Sequence, residues 1–226
     1  MDKKIVGEFI ASKIKDGDII GLGSGSTVAE FIMSLGKRIR EEGIEIYGVP
    51  SSYQSKLIAI EQGVHVVSLQ EYPELNLGVD GADQVDPEFN AIKGGGGAHT
   101  MEKIVAHASK NFIIIVDGSK VVNTLTYPVP IEVIPEASIT VMKNLQSIRG
   151  DGTVRLANKK VGPVITDNGN FIIDWNFGEI DAPELLEKEV NNIPGVVENG
   201  IFPSRLVNEV YVGKRGRIEK LERRKP

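Results

Sequence analysis

Residues 19–39 read IIGLGSGSTVAEFIMSLGKRI. Ile19 to Gly23 predicts a short buried strand, and Ser24-Gly25-Ser26-Thr27 a loop. Val28, Phe31, Ile32, Leu35 and Ile39 then recur at i, i+3, i+4, i+7 and i+11, the spacing of one face of a helix. Thr27 with Glu30 fits a capping box, which predicts the helix start. Strand, Gly/Ser loop and helix thus follow in immediate succession.

The unit recurs downstream. Ile44 to Val49 predicts a strand, Pro50 to Ser52 a loop with a cap, Tyr53 to Gln62 a helix, and Gly63 its stop. Strands are expected at Val64–Val67 and Leu77–Val79, with another short one at Phe89–Ile92. Thr100 is read as the cap of a helix whose inner face is Met101, Ile104, Val105 and Ala108. Phe112 to Val116 is β-branched almost throughout and reads as a strand buried on both faces. Upstream, Ile5, Phe9, Ile10 and Ile14 put Lys4–Lys15 on an amphipathic helix. This alternation predicts an α/β protein, a parallel sheet with helices on both sides. Ligands of such sheets bind at the carboxyl ends of the strands. The polar segments Ser24–Thr27, Ser51–Tyr53, Asp80–Asp83 and Asp117–Lys120 should therefore converge on one rim.

From about Pro128 the pattern changes. Pro130–Ile134 and Thr153–Ala157 read as strands, and Ala137–Ile148 and Ala182–Asn192 as helices. Val164–Thr166 and Phe171–Asp174 read as a hairpin across Asp167-Asn168-Gly169-Asn170. Gly195–Phe202 holds a further strand. This predicts a small α+β unit, two helices on an antiparallel sheet. Val207–Val212 and Arg217–Leu221 are expected to form a hairpin that returns to the first unit. The basic tail, Lys214–Lys225, is interleaved with Glu219 and Glu222 and reads as a solvated terminus.

Composition narrows the function classes. The 226 residues are 41% apolar and 25% charged, ordinary for a globular protein with a sizeable core. A net charge of −5 argues against a protein-wide nucleic-acid footprint. There is no cysteine, so thiol chemistry and disulfides are excluded. His65, His99 and His107 lack short ligand spacing, so no metal site is expected. The N-terminal stretch lacks the apolar core of a signal peptide, and no apolar run approaches the ~20 residues of a membrane span. A cytoplasmic location is the expectation.

The chemistry-bearing stretch is Asn76–Lys103, NLGVDGADQVDPEFNAIKGGGGAHTMEK. It holds Asp80 and Asp83, then Lys93, the glycine run Gly94–Gly97, and Glu102 opening a helix. Consecutive glycines mark positive-φ turns or a close approach of backbone to a ligand. Carboxylates, an ammonium and a second acid beside such a turn are the parts of a proton-transfer site. Each residue also has a plainer reading. The two aspartates suit turns, Lys93 a solvated surface, and Glu102 the dipole of a helix N-terminus. That dipole would lower the pKa of Glu102, and burial could reverse the sign. His99 and Met101 read as structural.

Ser24–Thr27 offers N–H groups, hydroxyls and a helix N-terminus to an anion. Its GxGxG spacing is neither a dinucleotide fingerprint nor a Walker loop. Lys120, at another strand end, is a second anion-binding candidate.

At these residues the sequence closely resembles the ribose-5-phosphate isomerase type A family. GLGSGST (Gly21–Thr27), DGAD (Asp80–Asp83), KGGGGAHTMEK (Lys93–Lys103) and DGSK (Asp117–Lys120) carry the match. PVPIEVIP (Pro128–Pro135) and TDNGN (Thr166–Asn170) extend it into the second unit. Ser24, Gly97 and Gly118 depart from the threonine, alanine and alanine frequent there, and none of them removes a reactive group. The resemblance implies a Rossmann-like catalytic domain, residues 1–127 with 204–226, and a smaller ferredoxin-like lid, 128–203. It implies interconversion of D-ribose 5-phosphate and D-ribulose 5-phosphate through a cis-enediolate, in the non-oxidative pentose phosphate branch. Neither cofactor nor metal is implied, and the chain would be a homodimer or homotetramer. By position, Glu102 would be the base that moves the proton between C2 and C1. Asp80, Asp83 and Lys93 would open the furanose ring and hold the hydroxyls and the enediolate. Ser24, Gly25, Ser26, Thr27 and Lys120 would bind the phosphate, with Gly81, Ala82, Gly94, Gly95 and Gly96 against the sugar. The competing readings are a sugar-phosphate deaminase, a lactonase, a coenzyme A transferase, and a non-catalytic sugar-phosphate-binding module.

Overall fold

The computed structural model describes residues 1–224. The chain begins with α1 (Asp2–Ala11), β1 (Ile19–Leu22), α2 (Ser26–Glu42), β2 (Tyr47–Pro50), α3 (Tyr53–Glu61) and β3 (His65–Val66). It continues through β4 (Leu77–Asp80), β5 (Gln84–Val85), β6 (Ala91–Ile92), α4 (His99–Ala108) and β7 (Phe112–Asp117). Then follow β8 (Val129–Val133), α5 (Ser138–Ile148), β9 (Asp151–Val154), β10 (Phe171–Asn176) and α6 (Pro183–Asn191). The last strands are β11 (Val196–Asn199), β12 (Ile201–Phe202), β13 (Glu209–Lys214) and β14 (Arg217–Lys220).

Seven strands form the main sheet in the order β14-β13-β7-β4-β1-β2-β3. Every pairing is parallel except β13 with β14. The chain leaves β1 for β2 on one side and returns to β4 on the other. This reversal of strand order opens a crevice at the carboxyl ends of β1 and β4, where such sheets bind ligands. One core packs α1 and α2 on the sheet through Ile10, Phe31, Ile32 and Leu35. On the opposite face Val105 of α4 packs against Val49 and Leu75.

A second, antiparallel sheet runs β11-β8-β10-β9 and builds its own core around Trp175, Ile131, Ile173, Leu145 and Val190. It carries α5 and α6, as expected of the small α+β unit. A third sheet, β12-β6-β5, is antiparallel. It matters because β6 runs straight into Lys93, whose N–H donates to the Gly200 carbonyl at 2.9 Å.

Local expectations fail where a side chain finds a distant partner. The Thr27–Glu30 capping box is absent: Gly25, at φ 92°, is the N-cap of α2, with no side-chain cap. Thr100 does not cap α4, which starts at His99 after Ala98, because its hydroxyl donates to Glu132. Val164–Thr166 is not a strand paired with Phe171–Asp174. β10 pairs instead with β8 and β9, and the segment before it forms only the turn closed by Thr166 N–H on Asn170 O. Phe89 has φ 73° and lies outside the short strand at Ala91–Ile92. Ser52 does cap α3, through a reciprocal pair with Ser55. The end of the basic tail, residues 225–226, lies outside the described residues.

Candidate active site

The four polar segments that follow the strands do meet on one rim. They border a cavity of about 320 Å³ that Lys3 and the Ile165–Asp167 segment also line. Each wall has a local cause.

Gly23 leads from β1 into the anion loop. A Cβ there would lie 2.0 Å from Asp80 Cγ, so only glycine lets β1 pass the aspartate. The loop is then tied down from several sides. Ser24 N–H donates to Asp80 Oδ1 at 3.0 Å and Gly25 N–H to Gln54 Oε1 at 2.9 Å. Ser24 Oγ donates to Ser52 Oγ at 2.7 Å, and Lys3 Nζ donates to Ser26 Oγ at 2.9 Å. The first N–H groups of α2 have no intrahelical partner and carry the positive end of the dipole. With Lys3 and Lys120 on the same cavity, they form a site for an anion such as a phosphate.

Beside it lies a buried charge cluster. Lys93 is 3% exposed, Asp80 1% and Glu102 4%. Lys93 Nζ donates to Gly81 O at 2.7 Å and lies 3.0 Å from Asp80 Oδ2 and 2.9 Å from Glu102 Oε2. The angles of the last contact fall outside hydrogen-bond geometry, so Glu102 Oε2 is a buried oxygen without an aligned donor. Asp80 is better served, since Oδ1 also accepts from Ser24 N–H and Gly81 N–H.

Both buried acids have raised pKa values. Burial raises the pKa of Asp80, and Lys93 with the two N–H groups works against that rise. Burial, then the charge of Asp80, pushes Glu102 up to about 7 in spite of Lys93. Burial alone would lower Lys93, but the two carboxylates outweigh it and keep the ammonium protonated. One cation thus serves two buried acids, and Glu102 lies near its titration point at neutral pH. A carboxyl poised there can take and return a proton.

The glycine run sits against Asp83 and Arg155 of the second unit. Gly95 N–H donates to Asp83 Oδ2 at 2.8 Å. Arg155 Nη1 donates to the carbonyls of Gly94 and Gly95 at 3.1 and 3.0 Å, and the guanidinium is paired with Asp174. The run is therefore held between a cavity carboxylate and Arg155.

Of the residues singled out from sequence, Ser24–Thr27, Gly81, Ala82, Asp83, Lys93–Gly96, Glu102 and Lys120 all line the cavity. Asp80 does not; it stands behind Lys93. His99 is fully buried off the cavity and, through burial, has its pKa lowered to about 4. Sequence reading missed Lys3, Gln54, Ile165, Thr166 and Asp167, which also line the cavity. Lys3 left no signal, being one of several charges on an amphipathic helix. Asp167 lay in a segment read only as a turn. Among the described residues no three His, Cys, Asp or Glu side chains are grouped to hold a metal ion. Nor is any helix among them long and apolar enough to cross a membrane.

Fold and site together define an α/β protein whose cavity sets a helix N-terminus beside a buried acid–ammonium–acid cluster. Residues 47–217 match the family profile of ribose 5-phosphate isomerase A (phosphoriboisomerase A). The ribose-5-phosphate isomerase A of Methanococcus aeolicus is 53% identical over 93% of this chain and 90% of its own length. That of Methanosarcina acetivorans is 48% identical over 99% and 95%. The structure of ribose 5-phosphate isomerase A from Methanocaldococcus jannaschii superposes with a TM-score of 0.94, at 46% identity and 98% coverage of both chains. A D-ribose-5-phosphate isomerase in complex with phospho-erythronic acid superposes at 0.95, with 48% identity and 98% coverage of both. The chain belongs to the ribose 5-phosphate isomerase A family.

Proposed function

We infer that this protein interconverts D-ribose 5-phosphate and D-ribulose 5-phosphate, with Glu102 as the group that carries the proton between C2 and C1. The observation that carries the reading is Glu102 itself: a buried carboxyl, pushed up to about 7, 2.9 Å from an ammonium and in one cavity with an anion site. The family assignment supports the substrate, as does the relative bound to phospho-erythronic acid.

The phosphate is held by Ser24–Thr27, Lys3 and Lys120, which anchors the reacting end of the open-chain sugar. Glu102 removes the proton from C2 of the aldose, and electrons move onto the C1 oxygen to give a cis-enediolate. Lys93 stabilises the developing oxyanion, and because it stays protonated that stabilisation is in place before the reaction begins. Glu102 then returns its proton to C1 as the C2 hydroxyl yields its proton to the C1 oxyanion and the C2 carbonyl forms. C1 and C2 lie side by side in the enediolate, so one carboxyl serves both transfers. Asp83, which lines the cavity, holds hydroxyls and assists ring opening. Asp80 acts through Lys93 by fixing its charge and position. The glycines of 94–96 let the backbone pass close to the sugar.

The same proposal divides the chain into a catalytic domain, 1–127 with 204–224, and a lid, 128–203. It places the protein in the cytoplasm, where a bilayer retains a doubly charged sugar phosphate. It also makes the protein a homodimer or homotetramer, to be read by sedimentation. The exposed apolar residues Tyr53, Leu57 and Ile60 on α3 support self-association. The test of the activity is ketose formation from ribose 5-phosphate by metal-free protein with chelator present. Turnover is expected, and its absence under those conditions would overturn the reading.

A further inference from the structure

Glu132 lies at 0% exposure in β8, between β11 and β10. Every other residue of that strand is also buried, and all are apolar. A carboxylate in such a place is costly unless donors surround it. Here the donors are neutral. Thr100 Oγ1 donates to Oε2 at 2.5 Å. Thr166 Oγ1, Asn170 Nδ2 and Asn168 Nδ2 donate to Oε1 at 2.8, 2.8 and 3.1 Å, and Asn168 Nδ2 is also 3.4 Å from Oε2.

These donors come from two places. Thr100 is in the first turn of α4, two residues before Glu102. The other three belong to the turn Thr166–Asn170, which lines the cavity with Thr166 and reaches α3 through Asp167, whose Oδ2 accepts from Tyr53 N–H at 2.9 Å. If the turn moves away, the buried charge loses three donors at once. If α4 shifts, it loses the fourth. An apolar residue in β8 would pack as well and would tie neither side to the other.

We propose that Glu132 is a positioning residue whose carboxylate latches the Thr166–Asn170 turn to the first turn of α4, so that one contact sets both a wall of the cavity and the placement of Glu102. The catalytic consequence rests on the reading of Glu102 as the proton carrier; the latch itself does not. A misplaced acid/base group loses rate more than affinity, because the cost appears in the transition state.

The test keeps Glu132 and removes one donor on each side, with Thr100→Val, Asn170→Ala and the double variant. Hydrogen exchange is followed without substrate, and kinetics with ribose 5-phosphate are measured below the melting transition of each variant. Thr100→Val should speed exchange in the Thr166–Asn170 turn, and Asn170→Ala should speed it in the first turn of α4. Each single variant should lower kcat by about 5- to 20-fold with KM changed by less than about 3-fold. The double variant should be no less active than the less active single one, because both substitutions loosen the same carboxylate latch. Exchange that changes only on the mutated side, wild-type kcat in the folded variants, or effects that multiply would each overturn the latch. Were the wild-type protein to form no ketose, the assignment of Glu102 would fall, and the exchange data would still decide the latch.

Discussion

Glu102 stands in the first turn of α4, where the helix dipole favours its anion by about 0.3–1 kcal/mol. Its pKa nevertheless rises to about 7, because burial and the charge of Asp80 outweigh both the dipole and Lys93. A base must be deprotonated to act, so kcat/KM is expected to rise roughly tenfold per pH unit below about 7 and to level off above it. A buffer series read by initial rates checks this, and a profile flat through 7 would contradict it. The same shift has a cost in stability. Between the ordinary value of 4.5 and about 7, the folded protein holds a proton that the unfolded chain has released, so stability falls as pH rises through that window. Glu102→Gln should therefore raise Tm at pH values above about 7 while abolishing most turnover. Calorimetry of the two proteins tests the sign, and a lower Tm for the variant would contradict it. The residue was legible in the sequence, but the direction of its pKa shift was not. The dipole is a local property of helix position, whereas burial against Asp80 and Lys93 is set by the tertiary fold.

At the level of elements, the glycine run illustrates how backbone shape serves the site. Gly94 has φ 102°, and a Cβ on it would sit 2.7 Å from His99 Nδ1. Gly96 faces open space, with no neighbouring atom within 4 Å. Gly94→Ala should thus cost about 1–3 kcal/mol of stability, and Gly96→Ala less than about 0.5 kcal/mol. Thermal denaturation distinguishes them, and equal losses would contradict this account of the loop. The run was visible in sequence as four consecutive glycines, but its partners were not. Asp83 and Arg155 approach it from 12 and 60 residues away, measured to Gly95. One of the two failed helix caps has the same origin. Thr100 met the compositional rule for a cap, yet Glu132 on a distant strand claims its hydroxyl. The N–H groups at the start of α2 lack a side-chain cap and are left open to the cavity.

Across the whole molecule, the rule that α/β sheets bind ligands at their carboxyl edge makes the meeting of Ser24, Ser52, Asp83 and Lys120 on one rim legible in the sequence. That rule rests on strand order and connectivity, which apolar periodicity reveals. It says nothing of a second sheet folding over the edge, and so Ile165–Asp167 and Arg155 escaped notice. Their signal was faint: one glutamate in an apolar strand, and a polar turn richer in amides than a hairpin needs. The central claim is that one buried carboxyl moves the substrate proton. The most direct measurement follows solvent deuterium into the C1 position of ribulose 5-phosphate and the C2 position of ribose 5-phosphate by NMR, in deuterium oxide with chelator, for the wild-type protein and Glu102→Gln. The account predicts incorporation by the wild-type protein and a rate lower by about 10²–10⁴ in the variant, with the sugar phosphate still bound. Incorporation by Glu102→Gln at the wild-type rate would contradict it.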